Sequence, residues 1–135
     1  MNTNYVRIGL ILLGIFHAAN GVFMLFAPDQ WYMTVPGVPA TGPMNHHFIE
    51  DIGLAFLASG VGLMLGARAG VAAAAFALAG AAFPTLHAVM HVILWFSHGF
   101  PEGAQLMASE YIGVAGVSFL GAALAWSRGR REGVV

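Results

Sequence analysis

Cysteine and lysine are both absent from this chain of 135 residues. Without cysteine there can be no disulfide, no thiolate metal ligand and no thiol nucleophile. Without lysine, and with a net charge of −1, the chain has no basic patch for nucleic acid. Charged residues make up only 8% of the sequence, whereas a soluble domain carries about 25%. The chain therefore has too little charge to cover the surface of a water-soluble domain.

The sequence is instead predominantly apolar. Hydrophobic residues make up 59% of it and the mean hydropathy is +0.77, so lipid must be the solvent for much of the chain. A transmembrane helix needs about 20 apolar residues, and residues 6–27, 48–67, 70–96 and 108–126 meet that requirement. The first segment is too long, and with His17 and Asn20 too polar, for a signal peptide. The sequence predicts a single integral membrane domain, residues 1–135, built as an all-α bundle of four transmembrane helices.

The arginines predict how this bundle is oriented. All five flank the same membrane face in the four-span arrangement: Arg7, Arg68, Arg128, Arg130 and Arg131. Basic residues close to spans are retained on the cytoplasmic side, so both termini are expected in the cytoplasm. The loops at 28–47 and 97–107 then lie outside, and the predicted location is a bacterial inner membrane, crossed several times.

Polar residues within the spans are predicted to gather in the outer half of the membrane. At about 1.5 Å per residue, His17 falls near the midplane, with Asn20 and His87 roughly 6 Å further out. Four more ionisable residues fall roughly 9–12 Å out: Glu50, Asp51, His91 and Glu110. Charged groups at such depth cost about 2.5–3.5 kcal/mol each on insertion scales. Such residues are retained in a span when they pair with another polar group, contact water or take part in the protein's function.

The spacing of these residues indicates a metal site. His87 and His91 are four residues apart on one helix, as are His47 and Asp51 on another, so each pair shares a helix face. Imidazole and carboxylate ligands suit Zn²⁺, Fe or Cu²⁺. The predicted ligands of a transition metal ion (Fe, Cu or Zn) are therefore His47, Asp51, His87 and His91. Residues expected to surround that ion or to bind a second one are His17, Asn20, Glu50 and Glu110.

Two alternatives use the same residues differently. Haem b could be held between His17 and His87, because bis-histidine ligation needs two rings on facing helices. Alternatively, the histidines and carboxylates could bind no metal and only hydrogen-bond one another, at about 0.6 kcal/mol per contact. Under either alternative, the spacing also predicts a second i, i+4 pair, His46 with Glu50, beside His47 and Asp51.

The first outer loop carries two further predictions. Asn45 precedes the second span and is expected to cap it, because asparagine is favoured at helix N-caps. Residues 31–33, which are Trp31, Tyr32 and Met33, could fold over the outer cavity of the bundle as a lid, or anchor the chain at the membrane interface.

The first span and its exit, RIGLILLGIFHAANGVFMLFAPDQW, resemble the opening helix of DoxX-like four-helix bacterial membrane proteins. The stretch WYMTVPGV-x-A-TGP-x-N-x-HF-x-x-DIG, with a later LHAVMH, is similar to a subgroup of small bacterial four-span proteins. His47, Asp51, His87 and His91 fall within these motifs, which cover spans one to three. DoxX itself is associated with quinone-linked sulfur oxidation, but this chain lacks cysteine and any motif specific to that chemistry. The resemblance implies the fold rather than an activity.

These patterns favour a membrane oxidoreductase, or the cofactor-carrying subunit of one, that acts on a quinone or another lipophilic small molecule. A metal or proton conduit and an accessory structural subunit are the alternatives. The expected partners are membrane lipid, the lipophilic substrate, and further copies of the chain or a larger membrane complex.

The predicted orientation can be tested with a reporter that is active only in the cytoplasm. Fused after Val135, the reporter should be active, whereas inserted near Pro39 it should be silent, because the arginines hold both termini inside. Activity from the Pro39 insertion would show that the orientation is reversed.

Overall fold

The computed structural model describes residues 3–135, which form helices and turns and contain no β-strand. Four helices are long and apolar enough to cross a membrane, which confirms the predicted all-helical, four-span architecture of a multi-pass membrane protein. In chain order the helices are α1 (Thr3–Phe26), α2 (Pro28–Thr34), α3 (His46–Gly66), α4 (Val71–His98), α5 (Ala104–Met107) and α6 (Val117–Glu132). A 3₁₀ turn occupies Val38–Thr41 and a π-helical segment Ala108–Gly116.

Two features differ from the predicted boundaries. The first long loop contains a helix, α2, which begins with Pro28 at a position where its missing N–H costs nothing. The fourth span runs from Ala104 to Glu132 through α5, the π-helical segment and α6, well beyond the apolar stretch. It continues past the arginines until Gly133, whose φ of 72° ends the helix in a left-handed cap.

The N-terminus of α3 forms as predicted. The Asn45 side chain accepts a hydrogen bond from the backbone N–H of Phe48 at 3.1 Å. This bond satisfies one of the amide groups that a helix start leaves without an internal partner. The predicted N-cap is confirmed.

Glycines bring α1 and α3 into backbone contact. A Cβ built on Gly60 would lie 2.5 Å from the carbonyl oxygen of Gly14, and one built on Gly21 would lie 2.5 Å from the carbonyl oxygen of Gly53. Because lipid gives helices no hydrophobic reason to associate, such close packing of small residues is what holds spans together. The register of α1 against α3 is thus fixed at two levels.

All five arginines lie at one end of the bundle, here called the arginine end; the opposite end is the histidine end. Arg128 donates to the carbonyl oxygen of Arg68 at 2.5 Å and pairs with Glu132 at 3.0 Å. Arg131 donates to the Thr3 hydroxyl at 3.0 Å. These bonds join the start of α1, the turn after α3 and the end of α6. Both ends of the described chain therefore lie on the same side.

The apolar core has two parts. In the arginine half it draws on all four spans: Val6, Leu10, Leu13, Leu63, Ala67, Ala77, Ala81, Leu124 and Ala125. In the histidine half it consists of Met24, Ile49 and Phe56, covered by Trp31, Tyr32, Met44, Ile52 and Phe83. The fourth span adds nothing to this second cluster. Among the described residues, α1 packs against α6 but makes no comparable contact with the π-helical segment. The bundle is closed at the arginine half and less tightly closed at the histidine half.

The glycine contact predicts a stability difference between two matched substitutions. Gly60→Ala should lower the melting temperature by several degrees, because its methyl group collides with the α1 backbone at a cost of about 1–3 kcal/mol. Gly121→Ala is the control, since its methyl group would meet only Leu13 Cδ1, at 3.8 Å. Thermal unfolding in detergent measures both. Equal melting temperatures for the two variants would contradict the role given to the α1–α3 contact.

Candidate functional site

The centre of the candidate site is a hydrogen-bonded pair between α4 and the fourth span. Glu110 Oε2 lies 2.8 Å from His91 Nδ1 and 2.8 Å from Trp95 Nε1. The side chains of His91 and Glu110 are only 22% and 14% exposed. When Glu110 is ionised, its oxygen accepts from both rings and His91 carries its proton on Nδ1. The Nε2 atom of His91 then presents a free lone pair.

This geometry depends on the π-helical segment. His91 and Trp95 are one turn apart on α4 and so lie on the same face. Glu110 and Tyr111 belong to Ala108–Gly116, and the Tyr111 ring meets Trp95 edge-on at 5.0 Å. A π-helical turn holds an extra residue and therefore changes the direction of the side chains that follow. Such turns are frequent at functional sites.

His87 extends the polar group toward the middle of the bundle. Its ring contacts that of His91 at a centroid distance of 4.6 Å. Phe83 stacks on the His87 ring at 5.8 Å and Phe56 meets it edge-on at 5.5 Å. His87 therefore lies between His91 on one side and the rings of Phe56 and Phe83 on the other.

His17 is the most deeply buried histidine of the group. It is 2% exposed, and neither ring nitrogen has a hydrogen-bond partner among residues 3–135. Its ring meets Phe16 edge-on at 5.4 Å and stacks on Phe56 at 5.7 Å. An unsatisfied buried polar group costs about 1–3 kcal/mol. Phenylalanine could make the same ring contacts without that cost, so packing alone does not account for a histidine here.

The structure forms two separate pairs from the four predicted metal ligands. His47 and Asp51 lie 3.4 Å apart near the start of α3, with side chains 87% and 57% exposed. His87 and His91 form the second pair, on α4. Within residues 3–135, no three His, Asp or Glu side chains are grouped so that they could hold a metal ion. The four-ligand site stays a prediction, and the described geometry gives it no support.

Asn20 and Glu50, which were also expected near the ion, have other surroundings. Asn20 accepts a hydrogen bond from Trp31 Nε1 at 3.0 Å and contacts Met24 Sδ at 3.6 Å. Glu50 is half-buried on α3. The predicted pair of His46 with Glu50 does not form; His46 instead lies 3.3 Å from Asp29, because α2 brings that carboxylate beside the start of α3.

Of the residues at 31–33, the two rings lie over the histidine half. Trp31 and Tyr32 pack against the cluster of Met24, Ile49 and Phe56, whereas Met33 is 72% exposed. The Tyr32 hydroxyl donates to the carbonyl oxygen of Gly42 at 2.7 Å, which ties α2 to the loop that follows.

The haem alternative meets an obstacle in Phe56. This ring contacts both His17 and His87, the two proposed axial ligands. A haem bridging them would require Phe56, which is 8% exposed, to leave the core. This alternative also stays a prediction.

Sequence reasoning missed three parts of the site: the π-helical segment, the position of Phe56 between two histidines, and Trp95 as a donor to Glu110. Trp95 alone gave a signal, because it follows His91 by four residues. Nothing in the sequence pattern distinguished the π-helical segment from an ordinary span.

Comparison with known proteins adds no assignment: no protein-family model matches the chain, and no curated protein or solved structure matches it. The interpretation of the site therefore depends on its own geometry, and the likeness to DoxX-like proteins stays a prediction.

The separation of the two pairs makes the metal prediction sharply testable. If one ion is held by all four ligands, the double variants His47→Ala/Asp51→Ala and His87→Ala/His91→Ala should both lose most of the metal, because two remaining ligands bind weakly. Metal per chain after chelator-free purification measures this, and a Soret band in the visible spectrum would identify haem. Wild-type protein that is metal-free and takes up no Zn²⁺, Cu²⁺ or Fe²⁺ would rule the metal site out.

Proposed function

We propose that this chain is a membrane subunit that binds a lipophilic ring molecule of the quinone class and exchanges protons with it through His91 and Glu110. One observation carries the proposal. The Glu110 carboxylate, when ionised, accepts hydrogen bonds from His91 Nδ1 and Trp95 Nε1, both at 2.8 Å. These bonds orient the His91 ring and leave its Nε2 atom available to a ligand.

The pair is suited to moving a proton at a ligand oxygen. A carboxylate bonded to Nδ1–H holds the imidazole in one tautomer and stabilises its protonated form. Neutral His91 can accept a proton at Nε2 from a ring hydroxyl, and protonated His91 can return one to a carbonyl oxygen. Oxidation of a quinol releases two electrons with its two protons, and we assign those electrons to a redox centre of a partner subunit.

The surroundings of the pair favour a lipophilic ligand. Phe56, Phe83 and Trp95 provide flat apolar surfaces beside His87 and His91. At this level α1 and the π-helical segment do not pack closely, and we propose that a molecule dissolved in the membrane approaches between them. Ligand sites of this kind combine an apolar lining with a few polar groups that fix orientation.

The location follows the arginine asymmetry. We place the protein in a bacterial inner membrane with its termini in the cytoplasm, so that the histidine half faces outward. The ligand would then exchange protons on the outer side of the membrane. A larger membrane complex would supply the electron partner.

The apolar core of the arginine half argues against the alternative function as a conduit. A path for metal ions or protons would have to continue from His17 to the arginine end. The core there is instead filled by side chains such as Leu10, Leu13 and Leu63. A role as accessory subunit is compatible with this core but gives no reason for the buried pair of His91 and Glu110.

Binding of a short-chain quinone to the purified protein tests the proposal. Saturable quenching of tryptophan fluorescence should give a dissociation constant, and His91→Ala should raise it at least about tenfold, the effect of losing one hydrogen bond to a charged group. His98→Ala, an exposed histidine at the end of α4, is the control and should leave the constant unchanged. No saturable binding, or equal binding by His91→Ala and wild type, would contradict the proposal.

A third variant, His17→Phe, tests whether the ligand reaches the middle of the bundle. His17→Phe keeps the contacts with Phe16 and Phe56 but removes two unpartnered nitrogens. If His17 serves the ligand, this variant should bind the quinone more weakly without melting earlier. Unchanged affinity would confine the ligand to the region of His87 and His91.

A further inference from the structure

An open apolar groove lies between α4 and α6, running from the middle of the bundle toward the arginine end. Its volume is about 340 Å³, and its lining includes Leu78, Ala82, Leu86, Ala122 and Trp126. Thr85 also lines it, but its hydroxyl donates to the carbonyl oxygen of Ala81 at 2.6 Å. The groove therefore offers an apolar surface, remote from His91 and Glu110.

The end of the bundle beside this groove is strongly positive. All five arginines lie there, and among the described residues Glu132 is the single acidic side chain at that end. Glu132 is paired with Arg128 at 3.0 Å. Basic side chains at this end therefore outnumber acidic ones by five to one among the described residues.

Arg130 connects the charge to the groove. It follows Trp126 by four residues on α6, and residues at this spacing are neighbours on one helix face. Trp126 lines the groove and is 54% exposed, and Arg130 is exposed as well. Tryptophan is enriched where a membrane meets water, so this face combines an apolar groove, an interfacial ring and a cation in succession.

We propose that the groove and Arg130 together form a binding site for an anionic phospholipid. An acyl chain lies in the groove against Ala82 and Ala122, and the phosphate of the headgroup meets the Arg130 guanidinium. A zwitterionic lipid carries its own cation beside the phosphate and gains less from Arg130, while a soluble anion gains nothing from the groove. The inference is independent of the chemistry proposed for His91 and Glu110.

The test measures lipid retained by the purified protein in native mass spectrometry, with phosphatidylglycerol or phosphatidylcholine added. Wild type should bind phosphatidylglycerol more tightly, and Arg130→Gln should weaken that binding about fivefold, the contribution of one basic residue near a charged membrane. Arg131→Gln removes the same charge from the neighbouring position and is the matched control, expected to change little. Ala122→Leu, which fills the groove, should weaken phosphatidylglycerol binding with all arginines in place.

Five results would overturn the proposal. Equal binding of the two lipids would remove the role of charge, and equal losses in Arg130→Gln and Arg131→Gln would show a diffuse effect of the whole face. Full lipid binding by Ala122→Leu would show that the groove holds no acyl chain. A change in the oligomeric state of Ala122→Leu, with lipid binding unchanged, would show that the groove holds a second copy of the chain. Displacement of the lipid by inorganic phosphate at a similar concentration would show that the site binds only the phosphate group and not the acyl chain.

Discussion

The absence of hydrogen-bonding solvent inside a lipid bilayer is the constraint on which this structure depends. Every polar side chain within the spans must find its partner in the chain or serve an occupant. Glu110 meets this demand through its hydrogen bonds with His91 and Trp95. Asn20 meets it by accepting a hydrogen bond from Trp31. His17 does not meet it among the described residues. The contrast separates residues that fasten helices together from one whose presence calls for another explanation.

The same constraint is met differently in the two halves of the bundle. The arginine half is closed by apolar side chains from all four spans, and arginines fasten its end. The histidine half is built mainly by α1, α3 and α4, while the fourth span touches it through the π-helical segment. A closely packed half beside a less closed, polar half is compatible with the proposed ligand, which would enter from lipid and exchange protons near one membrane surface.

Helix α2 covers the open half. It is held to α1 by the bond between Trp31 and Asn20, and to α3 by the contact between Asp29 and His46 at 3.3 Å. Trp31 and Tyr32 rest on the cluster that contains Phe56, and Phe56 in turn contacts His17 and His87. The covering helix and the two histidines, His17 and His87, thus border the same apolar cluster.

The sequence by itself determined the four spans, the Asn45 cap, the arginines shared by one end and the polar layer in the opposite half. These follow from apolar length and from periodicity within one helix, which depend on local geometry alone. Only the tertiary structure decided which polar residues meet. The rotation of each span about its axis brings His91 into contact with Glu110. It leaves His47 and Asp51 as a separate, exposed pair, and His46 lies beside Asp29. Spacing along one helix carries no information about that rotation, because it is fixed by glycine contacts and by a π-helical turn between distant parts of the chain.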